Sequence, residues 1–474
     1  MDYGRKLKAH YKPQKGWIND PNGLVYFKGD YHIFYQHAPD FEVPWKEPMH
    51  WGHARTKDFL QWEELPIALY PDREYDKGGC WSGTAIVKDD TLYLFYASID
   101  EKTQAQTVSV AYSSDGIRFE KYPGNPVIKH YPSAGGPDFR DPAVCCIDNR
   151  YYCVMATGNP EDKAGRLLLY RSDNLLDWEY VDIMREWENC KYTECPSFMQ
   201  AEQGLCLLTA SVCPLDKQHY FSVMYGQFHD GKFDPEYSAE IDKGPDQYAG
   251  QVFRDPLGRN ILISWIPGWS YNGYAQKDVG CMSVPRELKL LNGKITGFPV
   301  KEVQHLLRDS DPAVERTQTG FIINRKGRTP VVYEGKIDDL KILRDEYIVE
   351  VFVNGGEGIY SAAVICKKEG TANLLCLLSF VRIENKPKQR TEKGSAAGNS
   401  PRRQANINAE HFFAKCSALP FFFCVIEIRF PRRDRRRSPR RRSGAARWRS
   451  AFPAERRPQR ERTPPCRRPS ARSS

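Results

Sequence analysis

A short segment recurs along the first half of the chain at an almost constant interval. Each copy places polar residues and an aspartate just ahead of a hydrophobic or aromatic residue. The four copies lie at 55–62, 112–119, 171–178 and, more faintly, 227–233. Measured from the aspartate, the intervals are 57, 58 and 57 residues. A strand, a polar turn and a returning aromatic residue at a fixed period of this length are typical of four-stranded propeller blades.

Strand signals fill the region that contains the repeat. Short runs of aromatic and β-branched residues are bounded by Gly, Asp, Asn or Pro, and no amphipathic helical stretch separates them. The sequence therefore argues against an alternating β-α-β plan. We predict an all-β protein: a five-bladed β-propeller over residues 1–300, followed at 301–384 by a short, incomplete β-sandwich.

The end of the chain has a different composition. Residues 385–474 contain 21 arginines and four lysines against six acids, a net charge of +19, whereas residues 1–384 carry 44 basic and 54 acidic side chains, a net of −10. A segment rich in Arg, Pro and Ser cannot bury a core, so a disordered basic tail is expected. An out-of-frame read of a GC-rich stretch is the preferred explanation. The alternative is a basic arm, and weak, salt-dependent contact of this tail is the only nucleic-acid binding expected.

The lack of a recognisable secretory signal and the pattern of cysteines favour a cytoplasmic protein. Residues 1–20 contain no apolar stretch of a secretory signal, and the longest apolar runs are too short to cross a bilayer, so no membrane partner is expected. The 14 cysteines include no C-x-x-C pair, unlike a zinc site or a secreted disulfide framework. Free thiols in a reducing compartment are the simpler interpretation. We expect no metal and no cofactor, and the sequence carries no signal for an oligomeric state.

Three acidic residues stand beside prolines at the ends of predicted strands. Asp20 and Asp141 are each followed directly by proline, and Glu194 is followed by proline one residue later. Proline fixes the backbone locally and restricts the residue before it. Asp-Pro is also ordinary turn chemistry, and we interpret the same string at 254–256 as a turn. Because the inner strands of a propeller converge on one channel, acids from separate blades can meet at its mouth.

Other residues supply what a sugar site requires, namely flat apolar faces and partners for hydroxyl groups. A tryptophan such as Trp81 can equally be a core residue, and this alternative stays open. The candidates for substrate binding are Asn19, Gln36, Trp45, Trp81, Ser82 and Arg140.

Taken together, these motifs resemble glycoside hydrolase family 32, which contains invertases, sucrose-6-phosphate hydrolases and fructanases. The heptapeptide WINDPNG at 17–23 resembles the first signature of the family, with Ile at a position usually held by Met or Leu. FRDP at 139–142 and ECP at 194–196 resemble the second and third signatures. Accessory segments at 49–54, 80–83, 248–251 and 285–288 also match in order. The resemblance is close from residue 9 to about 300 and weak at 342–345 and 350–354.

The resemblance implies roles for the three acids. Asp20 would be the nucleophile that forms a fructosyl-enzyme intermediate, and Glu194 the general acid that then acts as the base. Asp141 would bind the fructose 3- and 4-hydroxyls and stabilise the transition state. For a retaining enzyme the two reacting carboxyl groups lie about 5–5.5 Å apart. We expect the neighbouring anions to keep Glu194 protonated while Asp20 stays ionised.

The implied activity is that of a retaining β-fructofuranosidase acting on sucrose or sucrose 6-phosphate. The lack of a secretory signal favours the phosphorylated sugar, because sugars imported with phosphorylation arrive in that form. An exo-fructanase or a fructosyltransferase would use the same three acids. A non-catalytic sugar-binding propeller is the alternative from a different functional class.

Overall fold

The computed structural model describes residues 7–41, 46–266, 280–325 and 328–364. The chain divides into two compact units, Met1–Val381 and Arg382–Ser474, and every described residue belongs to the first. The predicted basic tail at 385–474 therefore lies outside the described residues. Within them, regular structure is β-strand apart from short 3₁₀ segments at Glu202–Gly204, Gln304–Leu306 and Asn354–Gly356. No helix in this part of the chain is long and apolar enough to cross a membrane.

Five antiparallel sheets follow one another along the chain, and each is a meander of consecutive strands. The first sheet contains β1 (Trp17–Phe27), β2 (Asp30–Ala38), β3 (His50–Thr56) and β4 (Trp62–Leu69). The second contains β5 (Gly79–Lys88), β6 (Thr91–Ile99), β7 (Gln106–Ser113) and β8 (Glu120–Lys121). The third contains β9 (Asp138–Ile147), β10 (Arg150–Asn159), β11 (Ala164–Ser172) and β12 (Glu179–Trp187).

The fourth and fifth sheets complete the series. The fourth contains β13 (Cys190–Gln200), β14 (Cys206–Pro214), β15 (Tyr220–His229) and β16 (Lys232–Ile241). The fifth contains β17 (Tyr248–Arg254), β18 (Asn260–Ile266), β19 (Cys281–Met282), β20 (Arg286–Leu291) and β21 (Lys294–Pro299), with β19 added beside β18.

The first strands of the five sheets form a closed ring. β1 packs against β5, β5 against β9, β9 against β13 and β13 against β17, and β17 returns to β1. Residues from all five strands therefore border one central channel, and the sheets extend outward from it as blades. The predicted five-bladed β-propeller is confirmed.

The repeated sequence lies at the turn between the third and fourth strands of the first four blades. In the first copy, the Thr56 hydroxyl and the Asp58 carboxylate accept hydrogen bonds from the backbone amides that follow them. Ser113 and Asp115 do the same in the second copy. In the third copy the second acceptor is Asn174, one residue after the aspartate of the repeat. The period predicted the blades because the first three copies specify the same local turn, while the fourth lies at the tight hairpin between His229 and Lys232.

Two small sheets follow the propeller. They contain β22 (Val314–Arg316), β23 (Gly320–Ile323) and β24 (Val331–Glu334), then β25 (Leu340–Asp345), β26 (Ile348–Val353) and β27 (Gly358–Ala363). One hydrophobic cluster, which includes buried Phe321, Val351 and Tyr360, is shared by both sheets, so they form a small sandwich. The end of the segment predicted at 301–384 lies outside the described residues.

A buried group of charged side chains joins the propeller to the sandwich, and we call it the interface charge cluster. Arg286 donates to Asp242 at 2.7 Å and to Glu350 at 2.9 Å. The His10 ring lies 3.1 Å from Asp345 and 2.9 Å from Glu350. All five side chains are buried. Each carboxylate meets a cation, which is the condition under which burial of charge is tolerated.

Candidate active site

Every inner strand of the propeller carries a register irregularity. The irregularities lie between Ile18 and Pro21 in β1, Cys80 and Gly83 in β5, Arg140 and Ala143 in β9, Glu194 and Ser197 in β13, and Tyr248 and Gln251 in β17. A β-bulge removes a residue from the ladder and re-aims its side chain. Asp20 and Asp141 lie within these bulges and outside the strand pairing, whereas Glu194 pairs with Ser211 directly before its bulge.

Three residues at the bulges have left-handed backbone geometry. The φ angle is 58° at Asp141, 48° at Cys195 and 53° at Ala249, values that are uncommon for residues other than glycine. Such conformations cost free energy and persist only where the surrounding structure holds them, typically at functional sites.

The three acids come from different blades and meet around Cys195; we call this group the acid pit. The Cys195 thiol lies 3.4 Å from Asp20 Oδ2 of β1 and 3.6 Å from Asp141 Oδ2 of β9. The Cys195 amide also donates to Asp141 Oδ2 at 2.9 Å. Because Cys195 directly follows Glu194 in β13, both aspartates border the residue next to the glutamate.

Asp20 is held by short polar contacts. Its Oδ2 accepts a hydrogen bond from Ser82 at 2.8 Å, and its Oδ1 accepts one from the Asn19 amide at 3.1 Å. Loss of solvation, together with the charge of Glu194, raises the pKa of Asp20 to about 6, while hydrogen bonds from Asn19, Ser82 and Cys195 oppose this rise. Asp20 is therefore largely ionised only above about pH 6. The expected negative charge on Asp20 is thus present at neutral pH and is lost in mildly acidic solution.

Glu194 is fixed at both of its oxygens. Arg140 donates to Oε1 from Nε at 3.1 Å and from Nη2 at 3.0 Å. Tyr248, on the inner strand of the fifth blade, donates its hydroxyl to Oε2. The Glu194 side chain is 18% exposed. It can therefore reach a bound molecule while two neighbours fix its orientation.

Arg140 is the cation that balances the acid pit. Besides Glu194, its guanidinium contacts Asp138 at 2.7 Å and lies 5.0 Å from the centre of the Tyr192 ring. Burial raises the pKa of Asp141; the adjacent Arg140 charge opposes this, and the charges of Glu194 and Asp20 add to it. One arginine thus serves several carboxylates, and its charge does not offset the effects of burial and of the neighbouring anions on Asp141.

The structure places three of the predicted substrate-binding residues against the acids. Asn19 and Ser82 contact Asp20, and Arg140 contacts Glu194. Asn19 is itself oriented by the indole of Trp17, which donates to its side-chain oxygen at 2.7 Å. These residues therefore hold the carboxylates in place.

The other three substrate-binding candidates differ in their surroundings. Gln36 is buried and donates to the carbonyl of Cys80 at 3.0 Å. Trp81 is partly exposed and packs on an aromatic cluster that includes Trp17, so it is both a core contact and an accessible surface. Trp45 lies outside the described residues.

Sequence reasoning did not assign three residues that the structure places in the pit. Tyr248 contacts Glu194, Cys195 contacts both aspartates, and Asp138 contacts Arg140. Two of them lie within matched motifs, at 248–251 and 194–196, which was the available signal. Among the residues the structure describes, no group of three His, Cys, Asp or Glu side chains is arranged to hold a metal ion.

The arrangement can perform acid–base and nucleophilic chemistry on a small polar molecule. Carboxyl groups with raised pKa values beside a clamped glutamate are typical of sites where proton transfer takes place near neutral pH.

Known proteins share this architecture. Residues 10–299 match the glycosyl hydrolases family 32 N-terminal domain. A sucrose-6-phosphate hydrolase of Zymomonas mobilis is 36% identical over 330 residues, which cover 64% of this chain and 63% of that protein. A levanase of Bacillus subtilis is 34% identical over 347 residues, covering 64% of this chain and 48% of that protein.

A solved structure of a family 32 protein is also similar to this chain. A mutant of a Bombyx mori β-fructofuranosidase of this family, in complex with sucrose, superposes with a TM-score of 0.65 at 27% identity, covering 76% of this chain and 89% of that one. The match to the Zymomonas mobilis hydrolase, however, spans just under two thirds of that relative's length.

Proposed function

The chain belongs to glycoside hydrolase family 32, and we propose that it is a retaining β-fructofuranosidase acting on sucrose or sucrose 6-phosphate. The observation that carries this proposal is the meeting of Asp20, Asp141 and Glu194 around Cys195 from three separate blades. Family membership supports the reaction class, and the geometry supports the assignment of the three acids.

In the first step, Asp20 attacks the anomeric C2 of the fructosyl group. The bond between C2 and the leaving oxygen breaks, Glu194 gives its proton to that oxygen, and an ester forms between Asp20 and C2. Ser82 and Asn19 hold the attacking carboxylate in place through the contacts described above. Proton donation of this kind contributes on the order of 10²–10⁴-fold to the rate.

In the second step, the deprotonated Glu194 takes a proton from water. The resulting hydroxide attacks C2, the ester bond to Asp20 breaks, and fructose leaves with its anomeric configuration retained. Glu194 then carries a proton again and Asp20 its negative charge, so both residues return to their starting states.

We assign Asp141 to binding of the fructose hydroxyls. The Cys195 amide fixes one of its oxygens, and the other can accept a hydrogen bond from the sugar. Such a bond lowers the barrier when it strengthens as the ring flattens toward the oxocarbenium-like transition state. Gln36, Trp45 and Trp81 complete the proposed fructosyl subsite.

The proposed substrates follow from the relatives. A sucrose-6-phosphate hydrolase supports the phosphorylated disaccharide, and a structure in complex with sucrose supports the unphosphorylated one. The levanase favours an exo-fructanase as the second candidate, since the same acids would cleave a terminal fructosyl group.

We place this activity in the propeller at residues 1–300, with 301–384 as the accessory sandwich and 385–474 as a tail outside the catalytic unit. We also propose a cytoplasmic location. In the described part of the chain nine cysteines are free thiols, and eight of them are buried. Free thiols are typical of a reducing compartment.

The test is release of fructose by the purified protein from sucrose, sucrose 6-phosphate and inulin, followed in parallel. We expect the highest kcat/KM for one of the two disaccharides and loss of turnover in Glu194→Gln. Faster release from inulin would favour the exo-fructanase. Sugar binding without release from any of the three would overturn the proposal in favour of a binding propeller.

A further inference from the structure

The Tyr248 hydroxyl distinguishes the two oxygens of Glu194. Oε1 accepts two hydrogen bonds from the positively charged Arg140 guanidinium, whereas Oε2 accepts one from a neutral phenol. Oε1 already accepts two charge-assisted hydrogen bonds, whereas Oε2 accepts one and keeps a second lone pair that can carry the proton for the substrate. Tyr248 therefore contacts the oxygen that performs acid catalysis.

Tyr248 is itself held tightly. It is 3% exposed, its hydroxyl lies 3.2 Å from the Cys213 thiol, and its ring packs edge-on against His219 at 4.4 Å between centroids. His219 also contacts the carbonyl of Gln247, the residue before Tyr248, at 3.1 Å. The position of Tyr248 is thus set by its own ring contacts and by the segment that leads into β17.

That segment, residues 242–247, lies along the last strand of the sandwich. The Lys243 amide donates to the carbonyl of Ile359 at 2.8 Å, and the amide of Ser361 donates to the Asp242 carboxylate at 2.8 Å. A Cβ at Gly244 would lie 2.1 Å from the carbonyl oxygen of Ser361, so this approach requires glycine. The segment therefore lies beside β27 and is hydrogen-bonded to it.

Asp246 makes the last contact with the sandwich before Tyr248, while Gln247 donates to Ser264 of β18. One oxygen of this buried carboxylate accepts hydrogen bonds from Arg325 Nη2 at 2.7 Å and from the amide of Ala363 at 2.8 Å. Both donors belong to the sandwich. A carboxylate two residues before Tyr248 is therefore anchored to a different domain from the one that contains the acid pit.

We infer that the sandwich takes part in catalysis, by holding the 242–247 segment so that Tyr248 orients Glu194 for proton donation. Tyr248 and Asp246 are positioning residues in this inference, which rests on the proposed function. The chain of contacts runs from β27 through Asp246 to Tyr248 and ends at Glu194 Oε2. Disturbing it should weaken acid catalysis and leave nucleophilic attack by Asp20 intact.

Two substrates with different leaving groups separate these effects. Sucrose needs a proton on its leaving oxygen, whereas a β-fructosyl fluoride loses fluoride with the C2–F electron pair as the Asp20 ester forms, and needs no proton. The value of kcat/KM reports the first, ester-forming step for both. For Tyr248→Phe we expect kcat/KM on sucrose to fall about 10–100-fold, part of what general acid catalysis supplies, with little change on the fluoride.

Asp246→Asn should show the same selective loss, though smaller, because it weakens the anchor and leaves the Tyr248 hydroxyl in place. Tyr96→Phe is the matched control, since Tyr96 is a buried tyrosine that donates to the Asp76 carboxylate in the second blade at 2.9 Å. It should lower stability alone and leave the ratio of the two substrates unchanged. Thermal unfolding of each variant shows which ones are folded.

The outcomes distinguish the two proposals. Equal losses on both substrates in folded Tyr248→Phe, or no loss at all, would overturn the positioning role. A selective loss in Tyr248→Phe with none in Asp246→Asn would overturn the part played by the sandwich. If Tyr248→Phe does not fold, Asp246→Asn decides by the same ratio. Failure of the unmodified protein to release fructose from the fluoride and from every sugar would instead overturn the proposed function.

Discussion

The acid pit and the interface charge cluster contain the same kinds of side chain and behave in opposite ways. In the interface charge cluster, Arg286 and His10 contact three carboxylates at 2.7–3.1 Å. In the acid pit, Arg140 is the cation bonded to Glu194, while Asp20 is bonded to the neutral groups of Ser82, Asn19 and Cys195.

The pKa values follow this difference. Burial raises the pKa of Glu350, but the charge of Arg286 and the contact with His10 outweigh it, and the result lies below the ordinary value. Burial also raises the pKa of Asp345, but the contact with His10 and its charge outweigh this effect and lower the pKa. In the pit, burial dominates, and the pKa of Asp20 rises to about 6. Paired carboxylates stabilise the fold, whereas underpaired ones are free to exchange protons and bond to carbon.

Neutralising Asp20 should have the largest effect on the difference between the two clusters. Asp20→Asn removes the nucleophile, so no ester can form. The value of kcat on sucrose should therefore fall at least as far as it would on loss of acid–base catalysis, which contributes roughly 10²–10⁴-fold. The same change should raise stability at pH 7 by roughly 1–3 kcal/mol, because a carboxylate whose folded pKa is raised destabilises the folded state once it is ionised. Steady-state kinetics and urea unfolding check the two effects. Reduced stability would show that the pit is as well compensated as the interface.

Removing the cation at the interface should do the reverse. Arg286→Met leaves buried Asp242 without its cation and Glu350 with His10 alone, so the free energy of unfolding should fall by about 3–5 kcal/mol. Arg171→Met is the control, because the Arg171–Glu179 pair is exposed on both sides and its loss should cost at most about 1 kcal/mol. Equal losses in urea unfolding would refute the claim that pairing matters more at the buried site.

The interface should also set an alkaline limit to stability. Burial lowers the pKa of His10, but Asp345 and Glu350 outweigh it and raise the pKa to about 9. A histidine with a raised folded pKa stabilises fully below its unfolded pKa of about 6.5 and loses this contribution as pH rises through about 9. The gap in unfolding free energy between the unmodified protein and His10→Gln should therefore shrink, by on the order of 1–3 kcal/mol, between pH 6 and pH 10. A gap independent of pH would contradict a charged His10.

The smallest predicted effect is a shift in the acid limb of activity. The limb of kcat/KM near pH 6 reports ionisation of Asp20, since only the carboxylate attacks C2. Ser82 stabilises that carboxylate, so Ser82→Ala should move the limb upward by roughly half to one pH unit. Ser98→Ala, which removes a buried hydroxyl bonded to Ser109 in the second blade, should leave the limb in place. A limb that stays fixed or moves downward in Ser82→Ala would show that Asp20 does not control it.

The sequence predicted those features that local chemistry specifies. The turn at Asp58 and Asp115 depends on hydrogen bonds within a few residues, so its period revealed the blades and, through them, the convergence of inner strands. The string at 254–256 is also a turn, as expected, between β17 and β18. The position of Asp255 there distinguishes it from Asp141, although both follow arginine and precede proline.

What the sequence could not give are contacts between distant segments. Arg286 meets Glu350 across 64 residues and Tyr248 meets Glu194 across 54, and no local pattern specifies either pair. From the sequence we expected the neighbouring anions to keep Glu194 protonated. In the structure, burial and nearby charges raise the pKa values of Asp20 and Asp141, and Arg140 donates two hydrogen bonds to Glu194.

In the proposed mechanism, Asp20 forms a bond to the fructosyl carbon while Glu194 supplies and removes the proton. Incubating Glu194→Gln with a β-fructosyl fluoride should trap the ester, because the first step needs no proton and the second lacks its base. Mass spectrometry of a rapidly quenched digest should then find one fructosyl group on the peptide that contains Asp20. A label on another residue, or an unlabelled protein that releases fructose with inverted configuration, would contradict the account.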